Sequence, residues 1–323
     1  MLLSPMLGRA AAGDIPLVTL EGETQGTTYH LKYYDQEARN YKGAIDSILL
    51  AFDRCLSLYR PDSEISRFNR SDQHTFESPF FYPILLKSRE VYEQTQGAFD
   101  PTIFPLVEAY GFGPNRKHQV SEVILQEILP LVNFDRIHFD SISVRKEHPG
   151  IRLDFNGIAQ GYSVDLLAMF LEKQGIHRYM VEIGGEIRCQ GKKENGKPWM
   201  AGIEDPTRPS RLIATLPLLD RSLTTSGNYR NHFVHNGRLY NHIINPKTGD
   251  MESSNILSVT VLANDAITAD GYDTPLFLMG VAQSIRFIRE RKDLEVYLVY
   301  TDDQGQLQTY VSPGLKEIIQ EKR

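Results

Sequence analysis

Cysteine is nearly missing from this chain: Cys55 and Cys189 are the only two in 323 residues. Neither stands in a CxxC or CxxH spacing, which argues against a cysteine-ligated metal or a redox pair; whether the two join in one disulfide is left open. No apolar run approaches the roughly 18–20 residues of a membrane-spanning helix. Positive charge is in the minority, with 35 Lys and Arg against 41 Asp and Glu and a net charge of -6. A general nucleic-acid binder carries the opposite balance, so that class is set aside. The sequence also lacks internal repeats, low-complexity tracts and long Pro/Gly/Ser linkers. What remains is an ordinary globular composition, 41% hydrophobic and 24% charged, in a chain long enough for a large core in one or two domains.

The first residues, Met1 to Asp14, mix a short apolar stretch with Ala and Gly. The stretch is too short for a signal-peptide core and has no lipobox cysteine. Residues 1–20 are expected to be a leader or a disordered tail, and 21–323 a single catalytic domain.

Hydrophobic spacing sets out the elements. A strand is expected at Thr27–Tyr34. Ile45, Ile48, Leu49 and Phe52 fall on one helical face. A second helix begins near Pro83 and stops at Gly97. A short helix from Ser121 is expected to bury Val123, Ile124 and Ile128. Between Ala159 and Gln174, Val164, Leu167, Ala168 and Leu171 make a buried stripe that ends at Gly175. The period then changes to two. Val181, Ile183, Ile187 and Cys189 alternate on either side of Gly184-Gly185, and Leu257, Val259 and Val261 alternate in the same way. A helix over Val281–Arg291 precedes a buried strand over Leu294–Tyr300. This order implies an α+β fold, not a doubly wound parallel sheet.

Five segments can carry chemistry. In LDFNGIAQGYSVD (153–165), a strand ends at Asp154 and an Asn156-Gly157 loop leads into a helix. Backbone N–H groups and the helix dipole there suit an anion, although an ordinary strand–turn–helix would read the same way. In ADGYDTPLFLMG (269–280), Asp270 and Thr274 share a helical face, and Asp273 lies beside them. A carboxylate and a hydroxyl, completed by carbonyls and waters, suit Mg²⁺; a helix cap with solvated acids is the plainer alternative. His242, before the Asn245-Pro246 turn, can orient or deprotonate a hydroxyl, or be only structural. Ser226-Gly227 in the same stretch can supply a small-residue contact to a ligand. In SLYRPDSEISRFN (57–69), Tyr59 can stack on a planar ring. GAFDP (97–101) is a tight turn before a proline.

In this order the segments resemble one family, the ApbE-type FAD:protein FMN transferases, with phrasing most like its Bacteroidetes branch. The match runs from about Gly22 to the C-terminus and includes Gln25-Gly26-Thr27-Thr28, SLYRPDSEISRFN, GAFDP, YGFG, LDFNGIAQGYSVD, VEIGGEI, TTSGNY, HIINPKTG and ADGYDT. The resemblance implies a T-fold-related α+β fold with mixed sheets, packed helices and the flavin site in a central cleft. It implies that Tyr59, Ala98, Phe99, Asp100, Asp154 and Ile243 contact FAD. Gln160 stands where the family often has Lys or Glu near the flavin nucleotide, and Gln25 where many members have Met. Mg²⁺ is expected from the Gly157 carbonyl, the Asp270 carboxylate and the Thr274 hydroxyl. The family's histidine falls on His242, with Asn245 where Asp is more usual. Asp273, at a position where most members have Ala or Ser, is expected with His242 as a candidate base.

The implied reaction is transfer of FMN from FAD onto a threonine hydroxyl of an acceptor protein, with release of AMP. The acceptor implied is a membrane redox subunit, met at the periplasmic face of the inner membrane. A FAD pyrophosphatase, or a non-catalytic flavin-binding protein, are the competing expectations.

Overall fold

The computed structural model describes residues 14–114, 120–208, 210–227, 232–235, 238–241, 243–251 and 254–322. The described chain opens on a hairpin of β1 (Leu17–Thr24) and β2 (Thr27–Tyr34), so ordered strand begins inside the 1–20 segment expected as a tail. Gln25 and Gly26 join the strands, both at positive φ, 51° and 74°. Such a two-residue turn follows the right-handed twist of the strands; the left-handed conformation is free for glycine but costs glutamine about 1–2 kcal/mol.

Helices α1 (Lys42–Leu56) and α2 (Glu64–Asn69), strand β3 (Gln73–Thr75), and helices α3 (Phe81–Gln94), α4 (Phe104–Ala109) and α5 (Glu122–Ile128) follow. Strands β4 (Ile137–Phe139) and β5 (Ser143–Lys146) form a small sheet with β3 in the order β3-β5-β4. Then come α6 (Ala159–Lys173), the hairpin β6 (Tyr179–Ile183) and β7 (Glu186–Gln190), β8 (Trp199–Glu204), β9 (Leu212–Leu218) and β10 (Ser222–Gly227). A small hairpin, β11 (His232–His235) and β12 (Arg238–Asn241), precedes β13 (Ile256–Ala263). Helix α7 (Ala266–Arg289) is broken at Gly280, whose φ of 73° and ψ of 169° are not helical. Strands β14 (Glu295–Thr301) and β15 (Leu307–Val311), helix α8 (Pro313–Lys316) and strand β16 (Gln320–Glu321) close the described chain.

The main sheet has eight strands in the order β1-β2-β6-β7-β10-β13-β14-β15, antiparallel at every pairing. Its side chains alternate between two cores, as the two-residue period of a strand requires. In β14, Val296 and Leu298 join Val259, Val261, Tyr272 and Leu276 on the helix side. Tyr297 and Val299 point the other way, to Trp199, Ala201 and Leu216 of the three-stranded sheet β16-β9-β8. Helices α6 and α7 pack on each other and on the first face. The stripe of Val164, Leu167, Ala168 and Leu171 is fully buried there against Tyr29, Leu31, Val181 and Ile183.

The α+β architecture expected from the sequence is the one observed. One face is corrected. In α5, Val123 is 65% exposed, while Leu125 and Ile128 pack half-buried against Leu106 and Tyr110 and Ile124 is only half-buried. The cysteines are both free and buried, Cys55 in the helix-side core and Cys189 on the other face.

Candidate active site

The wall of the site is built from three loops held together by backbone pairing. The Asn69 side chain, at the end of α2, accepts from the Leu153 N–H at 2.7 Å and donates to the Leu153 carbonyl at 2.9 Å. The Asp154 N–H donates to the Pro101 carbonyl at 2.7 Å, which brings the GAFDP turn alongside. Gly157 lies over the edge of Phe99, whose ring would be 3.7 Å from a Cβ at that position. Phe99, Asp100, Asp154 and Gly157 are thus neighbours.

Two of these acids carry raised pKa values. Burial pushes the Asp154 carboxyl up to about 6, against the Asn156 backbone N–H that donates to it at 2.7 Å. Burial also pushes Asp100 up to about 6, although its oxygens accept from the Thr102 N–H and hydroxyl and from the Phe134 N–H. Asp100 is therefore heavily engaged with its own chain.

The floor is the crossing of α6 and α7. A Cβ on Gly161 would lie 2.3 Å from the Ala266 carbonyl oxygen and 2.7 Å from the Asp270 Cβ, so only glycine allows this approach. The closeness lets the Gly161 N–H donate to Asp270 Oδ2 at 2.7 Å. Asp165 locks the same crossing from the other helix. It accepts from the Ala266 and Ile267 N–H groups at the start of α7 and pairs with Arg188 at 2.7 Å. The first turn of α6 was expected to offer free N–H groups to an anion. Instead the Ala159 N–H bonds the Phe155 carbonyl and the Gly161 N–H is taken by Asp270. The carboxylate from α7 thus takes one of the donors at the helix start.

Asp270 and Asp273 are 5% and 3% exposed. Burial raises both carboxyls, and for Asp273 the neighbouring charges of Asp270 and Glu186 raise it further. The Thr274 hydroxyl, partly exposed, donates to Asp273 at 3.2 Å and stands 3.2 Å from the Ser226 hydroxyl of β10. Asp270, Asp273, Thr274 and Ser226 thus form one oxygen-rich cluster. Among the described residues, no three His, Cys, Asp or Glu side chains converge as a metal cage. A site with few carboxylates, hydroxyls and waters is the kind that suits Mg²⁺.

The remaining expected residues fall around this frame. The Gln160 amide donates to the Ile183 carbonyl at 3.1 Å, against the Gly184-Gly185 turn. Gln25 reaches the same corner, its amide oxygen 3.4 Å from the Ser163 hydroxyl. Tyr59 is 65% exposed on the loop before α2. Ile243 is buried in the helix-side core together with Phe99. His242 lies outside the described residues. Ala98 is the one expected site residue that lines a cavity of about 600 Å³, which opens beside the Gly280 break and is bordered by Asn245, Lys247, Gln283 and Arg286. Asp154, Asp270 and Thr274 do not line it. Asn69, Asp165 and Glu186 bear on the site but were not singled out from the sequence, although each sits in a phrase that was.

Comparison with known proteins fits this geometry. The ApbE family model matches residues 25–298. A FAD:protein FMN transferase of Haemophilus influenzae is 35% identical over 329 residues, covering 97% of this chain and 94% of its own. That of Vibrio cholerae is 35% identical over 314 residues, covering 94% and 92%. Among solved structures, the flavin transferase ApbE from Vibrio cholerae superposes with a TM-score of 0.84 at 33% identity, over 94% of this chain and 99% of that one. The apo flavinyl transferase ApbE of Pseudomonas stutzeri gives 0.85 at 29% identity, over 96% and 98%. By the extent of these matches, the chain belongs to the ApbE family.

Proposed function

We propose that this protein transfers FMN from FAD onto a threonine hydroxyl of an acceptor protein with the help of Mg²⁺, releasing AMP. The observation that carries the reading is the Asp270–Asp273–Thr274–Ser226 cluster, set against the α6 start in a chain whose relatives are FAD:protein FMN transferases. Two adjacent buried acids repel, and the Glu186 charge adds to the repulsion at Asp273. A divalent cation would offset that repulsion, so the donor set fits the metal. Asp270 and Thr274, with the Gly157 carbonyl, would hold it. When bound, Mg²⁺ supplies charge neutralisation for the pyrophosphate oxygens of the substrate.

The chain's own residues do the positioning, which is most of what a phosphoryl-type transfer asks of a protein. Asp154, Phe99 and Ala98 form the wall against which FAD lies, and Tyr59 offers its exposed ring for stacking. Gln25 and Gln160 hold the corner at Gly184-Gly185. His242 orients or deprotonates the attacking hydroxyl, with Asp273 as the rival base. The acceptor is a membrane redox subunit met at the periplasmic face of the inner membrane. Among the described residues, no helix is long and apolar enough to cross a membrane.

The test is incubation with FAD, Mg²⁺ and a threonine-bearing acceptor domain. In-gel flavin fluorescence and an FMN mass increment on the acceptor, both lost in EDTA, are expected. Free FMN and AMP with an unmodified acceptor would instead make the protein a FAD pyrophosphatase.

A further inference from the structure

The carboxamide of Asn69 is an unusual partner for a main chain. It is 8% exposed, and its oxygen and nitrogen pair with the N–H and C=O of one residue, Leu153, 84 positions away. The side chain thereby acts as a one-residue strand neighbour. No other side chain of this length sets a donor and an acceptor side by side; Asp lacks the donor and would bury a charge. The orientation of the amide follows from its partners, because the reverse would set donor against donor.

The pairing controls direction as well as contact. The Leu153 carbonyl and the Asp154 N–H are the two ends of a single peptide group, which is planar. Asn69 holds the first end and the Pro101 carbonyl holds the second. The preceding peptide group is held at its N–H by Asn69 as well. Two consecutive planes are thus set immediately before the Asp154 Cα and fix the backbone that carries its carboxylate, which the Asn156 N–H then holds at 2.7 Å. Asn69 is itself held. Buried Lys146 donates from Nζ to the Asn69 carbonyl at 3.0 Å and to the Pro149 and Ile151 carbonyls at 3.1 and 2.9 Å.

Helix α2 has other anchors. Ile65 and Phe68 are fully buried, Ser63 caps its start, and Glu64 accepts from the Glu77 and Ser78 N–H groups. The Leu153 pairing is what α2 contributes to the site beyond its own packing. From this arrangement we propose that Asn69 is a positioning residue for the transfer reaction, holding the Leu153–Asp154 peptide so that Asp154 faces FAD. The proposal rests on the reading that Asp154 contacts FAD.

A double-mutant cycle on the full chain separates the two claims. FAD is titrated by flavin fluorescence against the wild type, Asn69→Ala, Asp154→Ala and the double variant, with folding checked by circular dichroism. Misaiming one hydrogen-bonding group is expected to weaken FAD binding by about tenfold in each single variant. The double variant is expected to bind no more weakly than Asp154→Ala, because Asn69 acts through Asp154. Wild-type affinity in Asn69→Ala, or a double variant whose loss is the product of the two singles, overturns the positioning role. Unchanged affinity in Asp154→Ala overturns the underlying contact instead. Should Asn69→Ala not fold, Asn69→Ser, which keeps a small polar group but cannot pair with both ends of Leu153, takes its place in the same cycle with the same criteria.

Discussion

Asp270 and Asp273 sit where carboxylates are unfavourable: buried, close together and flanked by Glu186. Removing one charge should stabilise the metal-free protein while disabling it. Asp270→Asn keeps an acceptor for the Gly161 N–H, so the α6–α7 crossing survives. Its melting temperature in EDTA is expected above that of the wild type, and its transfer rate in Mg²⁺ lower by at least about 10²-fold. Wild-type transfer by Asp270→Asn at limiting Mg²⁺ would show that the carboxylate does not serve the metal. The base is a separate question. If His242 takes the proton, its neutral form is required and transfer rises with pH as the imidazole loses its proton. His242→Ala should then lower transfer by about 10²–10⁴-fold with FAD affinity unchanged. A drop of only a few-fold, with a rising pH limb that disappears in Asp273→Asn, would pass the role to Asp273.

At the scale of elements, the site depends on how closely two helices approach. Gly161→Ala places a methyl against the Ala266 carbonyl, which is backbone and cannot swing away. Overpacking of this kind costs about 1–3 kcal/mol, read as a lower urea midpoint. Because the strain falls on the residue that holds Asp270, transfer at low Mg²⁺ should suffer more than transfer at saturating Mg²⁺. An equal loss at both concentrations would detach the crossing from the metal. The helices themselves were legible: the α1 and α6 stripes and the β6–β7 hairpin follow from residue spacing alone. Their meeting was not. Gly161 and Asp270 are 109 positions apart, Asp165 and Ala266 101, and Asn69 and Leu153 84, and periodicity reports only neighbours in the chain. Helix α5 shows a different failure. Val123, Ile124, Leu125 and Ile128 are more apolar residues than one face can hold, so spacing does not choose which turns outward. The helix expected over Val281–Arg291 in fact begins at Ala266 and runs through Pro275 to its break at Gly280.

The whole molecule inherits a pH dependence from the wall of its site. The main sheet separates two cores, and the wall beside the helix-side core buries Asp100 and Asp154, each with its carboxyl pushed up to about 6 from an ordinary value of 3.8. Burial is the first cause at both, so the folded state prefers the protonated acid. Between about pH 4 and 6 the folded chain then binds more protons at these positions than the unfolded chain. Their contribution is fully present below pH 3.8 and is lost as pH rises through 6, on the order of 3 kcal/mol for each acid. Ion pairs elsewhere work in the opposite direction, so the total stability curve does not isolate the effect. Asp100→Asn does. The amide keeps an acceptor for the Thr102 hydroxyl but cannot titrate, so the wild type should gain stability over the variant as pH falls from 6 to 4. Urea unfolding of both proteins at pH 4, 5, 6 and 7 measures that difference directly. A difference that stays constant over this range would mean that the bonds from Thr102 and Phe134 outweigh burial and that Asp100 is ionised in the folded protein throughout.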